Sequence, residues 1–154
     1  MNKADLAEKL FREGYNCAQA VACAFAEECQ LGEKTLFKIS SSFGGGMGRL
    51  REVCGCVSGM FMVAGMTQYT AENADKSAKD NQYAFVQNLA NKFKDECGSI
   101  ICRELLALPP KTSEPPVSEE RTEKYYSKRP CAECVRIAAS ILEAELKNSA
   151  VNTD

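Results

Sequence analysis

The stretch from Val53 to Met66 most constrains the fold, because it runs for 14 residues without a charged side chain. Fourteen apolar residues are too few to span a bilayer, so the stretch predicts a helix buried within a globular protein. Gly55 and Gly59, four residues apart, share one face of this helix. Because glycine lowers helix stability, two glycines on one face predict that a neighbouring element approaches closely there.

Apolar residues at helical spacing predict further helices on both sides of this stretch. Asn16 and Ser99 are suitable helix caps, and Gly98 is expected to end a long polar-surfaced helix. We predict an all-α fold, a single-domain helical bundle of about five to seven helices over residues 1–147, with a frayed tail at 148–154. The predicted segments are the helices Ala4–Glu13, Cys17–Cys29, Lys34–Ser42, Val53–Met66, Ala71–Asp95, Ile100–Leu108 and Cys131–Lys147, and an irregular loop at Lys111–Ser118.

Charge and composition argue against several classes of partner. The formal net charge is -2 and the pI is about 5.4, so no basic field is present to attract nucleic acid. Met1–Gly14 mixes charged with apolar residues at helical spacing and lacks the apolar core of a secretory signal. We therefore expect a cytoplasmic protein without a membrane or nucleic-acid role, acting with an unidentified partner protein. A homodimer formed through glycine-lined helix faces stays an open alternative.

The chain has nine cysteines and no histidine. In a reducing compartment, such a cysteine content indicates metal binding or redox catalysis rather than a disulfide framework. The lack of histidine excludes His-ligated zinc, Cys-His nucleophilic pairs and haem held by histidine. Cysteine must then supply most of the ligands of any bound metal.

Four cysteines fall at predicted helix starts: Cys17, Cys54, Cys102 and Cys131. Unpaired backbone amides and the positive end of the helix dipole stabilise a thiolate there. A thiolate is both the nucleophile of thiol exchange and the ligand of soft metals. A single such cysteine is often a small core residue, but four together favour a functional site.

The remaining cysteines are less informative. Cys134 completes a CxxC with Cys131, which suits either a redox or ligand pair or one active thiol beside a core residue. Cys56 lies two residues after Cys54, and such helical positions face opposite sides, so one of the two is expected to be structural. Cys97 could reach Cys102 if the chain bends at Gly98. Two further thiols are expected to be packing residues, Cys23 and Cys29.

The sequence also resembles a known family in five blocks, which together cover roughly Leu10 to Leu142: Gly14–Val21, Phe43–Gly48, Cys54–Gly59, Gly98–Leu106 and Cys131–Val135. It resembles the C_GCAxxG_C_C family of redox-active proteins. The resemblance implies an all-helical prokaryotic domain whose recurring cysteines match Cys17, Cys54, Cys102 and Cys131. The family is similar to a domain of split-Soret cytochrome c, where such cysteines are associated with an iron-sulfur centre. Haem does not carry over, because this chain has no CxxCH motif, and Cys56 and Cys134 are additional thiols.

Three functions stay open from the sequence. The leading one is a redox protein in which Cys17, Cys54, Cys102 and Cys131 converge, for thiol-disulfide exchange or to hold an iron-sulfur cluster for electron transfer. A structural zinc site with the same four ligands is the second, and an interaction module with inert core cysteines is the third. For thiol exchange we expect Cys131 to attack, with Cys134 or a cysteine of another helix resolving the mixed disulfide.

Overall fold

Helices dominate the fold, as the periodicity of the sequence predicts. The computed structural model describes residues 1–110 and 114–152, and for Val151 and Asn152 the backbone alone. Within those ranges no β-strand forms, and the extended backbone is limited to one antiparallel bridge between Val53 and Ile101. The helices are α1 (Lys3–Arg12), α2 (Cys17–Cys23), α3 (Ala26–Cys29), α4 (Glu33–Ser40), α5 (Gly44–Met47), α6 (Gly55–Gln68), α7 (Lys76–Cys97), α8 (Cys102–Leu105), α9 (Glu123–Lys128) and α10 (Cys131–Asn152), with a 3-10 turn at Ser41–Phe43.

The uncharged stretch forms α6, which packs against α2, α7 and α10 at the centre of the molecule. Gly55 and Gly59 face α2. A Cβ atom built on Gly59 would lie 2.9 Å from the Ala18 carbonyl oxygen and 3.1 Å from Cβ of Val21. One built on Gly55 would lie 3.0 Å from the backbone nitrogen of Ala18. The predicted close approach on this face is therefore confirmed, and α2 is the neighbour.

Both ends of the chain meet on one side of this centre, where α1 packs along α10. Phe11 and Leu142 are fully buried between the helices. Arg136 of α10 donates to Asp5 at 2.8 Å and to Glu8 at 2.6 Å on α1. This packing brings the start of α10 close to α2, which follows α1.

Two predicted helices that contain candidate cysteines have different boundaries in the structure. The predicted helix Cys17–Cys29 divides into α2 and α3, because Lys3 donates to the Ala24 carbonyl at 2.8 Å and the backbone of Phe25 leaves helical geometry. The helix predicted over Ile100–Leu108 shortens to α8, because residues 100–103 pair with the segment before α6.

Two other predicted helices differ from the observed ones at an end that lies away from the candidate cysteines. Helix α7 begins at Lys76 rather than Ala71, and α10 continues to Asn152, beyond the predicted end at Lys147. Residues 148–152 of the predicted tail are thus helical, while residues 153–154 lie outside the described residues. Of the predicted loop, residues 111–113 also lie outside them, and 114–118 are irregular as expected. No helix of the described chain is both long enough and apolar enough to cross a membrane.

Candidate functional site

Cys17 is held at the first position of α2 by a reciprocal cap. The Asn16 side chain accepts from the Gln19 backbone N–H at 2.9 Å, and the Asn16 N–H donates to the Gln19 side chain at 3.0 Å. This capping box fixes the direction in which the chain enters the helix. The thiol of Cys17 is consequently placed at the positive end of α2, and it stays partly exposed.

The antiparallel bridge places Cys54 beside Cys102. The Cys54 N–H donates to Ile100 O at 2.7 Å, and the Cys102 N–H donates to Glu52 O at 2.7 Å. Cys54 caps α6 and Cys102 begins α8, so both predicted helix-start positions are observed. The glycine run Gly44–Gly48 packs directly on Cys102: a Cβ atom on Gly46, whose φ is +68°, would lie 2.6 Å from Cβ of Cys102.

The fourth predicted cysteine, Cys131, begins α10 directly after Pro130, and Cys134 follows one helical turn later. The Cys134 N–H donates to the Pro130 carbonyl at 2.9 Å, which closes the first turn of the helix. Cys131 is partly exposed, whereas Cys134 is buried. Both thiols therefore belong to the end of α10 that faces α2 and α6.

All five cysteines predicted to be catalytic or ligating line one cavity of about 50 Å³: Cys17, Cys54, Cys102, Cys131 and Cys134. They come from the starts of four helices that are far apart in the sequence. The structure therefore brings together the residues that the sequence singled out.

Within this group, Cys17 and Cys131 are close enough for each thiol to be the largest influence on the pKa of the other. Hydrogen bonds from the thiols of Cys131 and Cys56 hold the pKa of Cys17 well below its ordinary value of 9.0. The charge of Arg121 also lowers the pKa of Cys17, against the opposing effect of burial. The hydrogen bond to Cys17 and burial raise the pKa of Cys131. The directions of these shifts favour Cys17 as the thiolate of the pair, whereas its position in the sequence favoured Cys131 as the attacking thiol.

Cys56 also belongs to the site, although the sequence indicated a structural role for one member of the Cys54–Cys56 pair. Its thiol is fully buried and hydrogen-bonds to both Cys17 and Cys54, which raises the pKa of Cys56. Cys54 can approach Cys56 because Cys54 is the N-cap of α6, with ψ 135°, and is not itself a helical residue; of the two, only Cys54 lines the cavity. Cys56 thus connects two of the predicted residues.

A second thiol pair lies behind the cavity. Cys97, at the end of α7, interacts with Cys134, whereas the sequence allowed a contact with Cys102 if the chain bends at Gly98. This contact lowers the pKa of Cys97 and raises that of Cys134. Two other cysteines are packed in the core as expected, Cys23 and Cys29.

Three arginines line the cavity together with the cysteines: Arg51, Arg121 and Arg129. Arg51 is 3% exposed, pairs with Glu114, and donates from Nη1 to the Cys102 sulfur at 3.6 Å. The Arg51 guanidinium lowers the pKa of Cys102, although burial is the larger effect and raises it. Sequence reasoning missed these arginines. The one local signal is the Arg49-Leu50-Arg51 segment directly after the glycine run.

The donor set can be compared with what a metal centre requires. Four cysteines at one cavity suit an iron-sulfur cluster or a zinc ion in chemical kind, and guanidinium groups offset the negative charge of thiolate ligands. Across residues 1–110 and 114–152, however, no group of three or more Cys, Asp, Glu or His side chains is placed to hold a metal ion. The thiols are arranged instead as interacting pairs, Cys17 with Cys131 and Cys97 with Cys134.

The fold and the thiol cluster define an all-helical protein with a cysteine-lined site. A family model described as "Putative redox-active protein (C_GCAxxG_C_C)" matches residues 15–145. The chain therefore belongs to the C_GCAxxG_C_C family, which confirms the resemblance seen in its motifs. Neither the curated proteins nor the solved structures contain a significant match to it.

Proposed function

We propose that this protein is a thiol-disulfide oxidoreductase whose reacting pair is Cys17 and Cys131. One observation carries the proposal: Cys17 and Cys131 each begin a helix that opens on the same cavity, and each is the largest influence on the other's pKa. Thiol exchange requires a thiolate together with a second thiol within bonding distance. Cys17 supplies the thiolate, and Cys131 supplies the second thiol.

The exchange begins when Cys17 attacks a disulfide of the partner. A bond forms between Cys17 Sγ and one partner sulfur, the partner disulfide breaks, and the other partner sulfur leaves as a thiolate. Cys131 then loses its proton and attacks Cys17 Sγ, which releases the second partner sulfur. The products are a Cys17–Cys131 disulfide and a reduced partner, so two electrons pass from the protein to the partner. The proton of Cys131 is taken up by one of the departing thiolates.

Neighbouring residues support the charge states that this sequence of steps requires. Arg121 lies near Cys17 and favours its thiolate form electrostatically. Cys56 donates a hydrogen bond to the same thiolate from a fully buried position. Because nucleophilicity depends on the thiolate fraction, both contacts favour reaction at neutral pH.

Iron-sulfur binding is the second candidate. It is supported by the chemical kind of the lining, cysteines from four helices together with arginines, although no three of these cysteines are placed to hold a metal ion within the described residues. Cys17, Cys54, Cys102 and Cys131 would hold the cluster. A bound cluster would supply one-electron transfer. Arg51 and Arg121 would then offset part of the negative charge of the ligands.

The first experiment is anaerobic purification followed by an absorption spectrum and by iron, sulfide and zinc analysis. We expect a colourless protein with little metal and with one fast-reacting thiol, located at Cys17 by alkylation and mass spectrometry. After oxidation, peptide mapping should find the Cys17–Cys131 disulfide. Cys131→Ser should abolish this disulfide, whereas Cys23→Ser, a matched change at a core cysteine, should retain it.

Other results would redirect the assignment. Stoichiometric iron with acid-labile sulfide would favour the electron-transfer candidate, and stoichiometric zinc would indicate a structural site. Thiols that react only after denaturation would argue for inert core cysteines.

A further inference from the structure

A second cavity, of about 170 Å³, adjoins the cysteine cavity. The two share part of their lining, including Arg51, Arg121, Arg129 and Tyr125. Arg49 lines the second cavity only. A molecule held in the second cavity would thus lie beside the same arginines that border the thiols.

Positive charge exceeds negative charge around this second cavity. Arg51 and Arg49 share Glu114, and Arg129 pairs with Glu119. Arg121 has no carboxylate partner within the described chain. It donates instead to two backbone carbonyls, at 3.2 and 3.3 Å, and its guanidinium carbon lies 4.6 Å from the centroid of the Phe11 ring. Four guanidinium groups therefore face two carboxylates.

The wall of the cavity also has an unsatisfied donor. The Nε of Arg49 is buried and has no hydrogen-bond partner among the described residues. A buried donor without a partner is unfavourable, so the protein itself does not satisfy every donor of these arginines. Arginine is suited to an oxyanion ligand, since its planar donors match the geometry of a carboxylate.

The cavity is large enough for a small ligand. Its volume of about 170 Å³ is well above the minimum that a single water molecule requires. The carboxylate group of a small disulfide fits this volume. The sulfur atoms of that disulfide would then lie toward the neighbouring cavity that contains Cys17 and Cys131.

We propose that the arginine-lined cavity binds the carboxylate groups of a small anionic disulfide, which the Cys17–Cys131 dithiol reduces. This inference rests on the proposed function. The substrate disulfide accepts two electrons and the proton of Cys131 and leaves as one thiol and one thiolate, each bearing a carboxylate, while the protein retains the Cys17–Cys131 disulfide; the released thiolate equilibrates with water. The protein's own dithiol is the reductant, so a single turnover needs no other reagent.

Three disulfides of similar size and different charge test the proposal. They are dithiodiglycolate, which carries carboxylates, bis(2-hydroxyethyl) disulfide, which is neutral, and cystamine, which carries ammonium groups. The pre-reduced full-length protein is mixed with each one anaerobically, and the rate of Cys17–Cys131 disulfide formation is measured. Dividing by the rate of the urea-unfolded chain removes the intrinsic reactivity of each disulfide.

We expect the normalised rate for the anionic disulfide to exceed that for the neutral one by about tenfold or more, with cystamine the slowest. Added salt should reduce this preference, because it screens the arginine charges. Arg129→Gln should lower the anionic-to-neutral rate ratio several-fold. Lys79→Gln removes the same charge from an exposed position on α7 and should retain the wild-type ratio.

Two results would overturn the proposal. If all three disulfides oxidise Cys17 and Cys131 at equal normalised rates, or if Arg129→Gln keeps the full preference, the charge-selective cavity is wrong and the thiol exchange stands. If none of the three disulfides yields the Cys17–Cys131 disulfide, the proposed function fails and the inference fails with it.

Discussion

At the scale of single residues, the same side chain acquires different acidity in different surroundings. Cys17 and Cys23 are the first and last residues of α2. Cys17 accepts hydrogen bonds from two thiols and lies near Arg121, so its pKa falls. Cys23 is buried among apolar groups, and burial raises its pKa to about 11. Reactivity therefore follows from hydrogen-bond donors and nearby charge, and not from the residue type.

The core thiols predict how stability changes at alkaline pH. Burial raises the pKa of Cys23 and Cys29 to about 11 from the ordinary value of 9.0. Between these values the unfolded chain has lost protons that the folded chain keeps. The free energy of unfolding should therefore fall as pH rises from 9 to 11, by at most about 1.4 kcal/mol per pH unit for each thiol. Urea unfolding at a series of pH values measures this slope.

The double variant Cys23→Ala/Cys29→Ala provides the comparison. Its absolute stability should decrease because two core side chains are shortened. Its slope above pH 9 should be shallower than that of the wild type, since two titrating groups are gone. Identical slopes would show that burial does not raise these two pKa values.

At the scale of helices, the contact between α2 and α6 depends on glycine. A methyl group on Gly59 would lie 2.9 Å from a backbone oxygen of α2, which cannot move without shifting the helix. Gly59→Ala should therefore destabilise the fold by about 1–3 kcal/mol, the usual range for overpacking. The shift of α2 should also slow the oxidation of Cys17, which that helix positions. Chemical denaturation and the rate of disulfide formation measure the two effects.

Gly65 is the matched control on the same helix. It is partly exposed, and a Cβ atom there would meet no atom within 4 Å. Gly65→Ala should stabilise the protein by roughly 0.5–1 kcal/mol, because alanine loses less backbone freedom in a helix. If both variants changed the stability equally, the helix propensity of glycine, and not the close approach of α2, would account for the effect of Gly59→Ala.

Local sequence patterns predicted helix positions well, because capping residues and apolar spacing act within one segment. The Asn16 cap and the buried face of α6 are examples. Boundaries set by distant partners were missed. Lys3 binds the Ala24 carbonyl from another helix, and Ile101 pairs with Val53 across the chain. Neither contact leaves a signal near the boundary that it determines.

At the scale of the whole molecule, the site is assembled from segments that are distant in the sequence. Its cysteines could be selected in advance, since a thiol at a helix start has a recognisable local setting. The arginines could not. Arg121 precedes α9 in a polar stretch that resembles many exposed segments, and only packing against Phe11 and Tyr125 brings it near Cys17. Side chains that act through tertiary position require the structure.

The proposed disulfide has a consequence for the entire fold. Cys17 and Cys131 enclose a loop of roughly 115 residues, and their bond would join α2 to α10. Closing a loop of this length restricts the unfolded chain and should raise the free energy of unfolding by about 4–5 kcal/mol, less any strain. Urea unfolding of the reduced and the oxidised protein measures the difference. In Cys131→Ser the two samples should be equally stable, because this bond is absent. If the oxidised wild type contains the mapped disulfide but is no more stable than the reduced protein, the bond must strain the native helices by as much as it restricts the unfolded chain. The native positions of Cys17 and Cys131 would then be poorly suited to a stable disulfide.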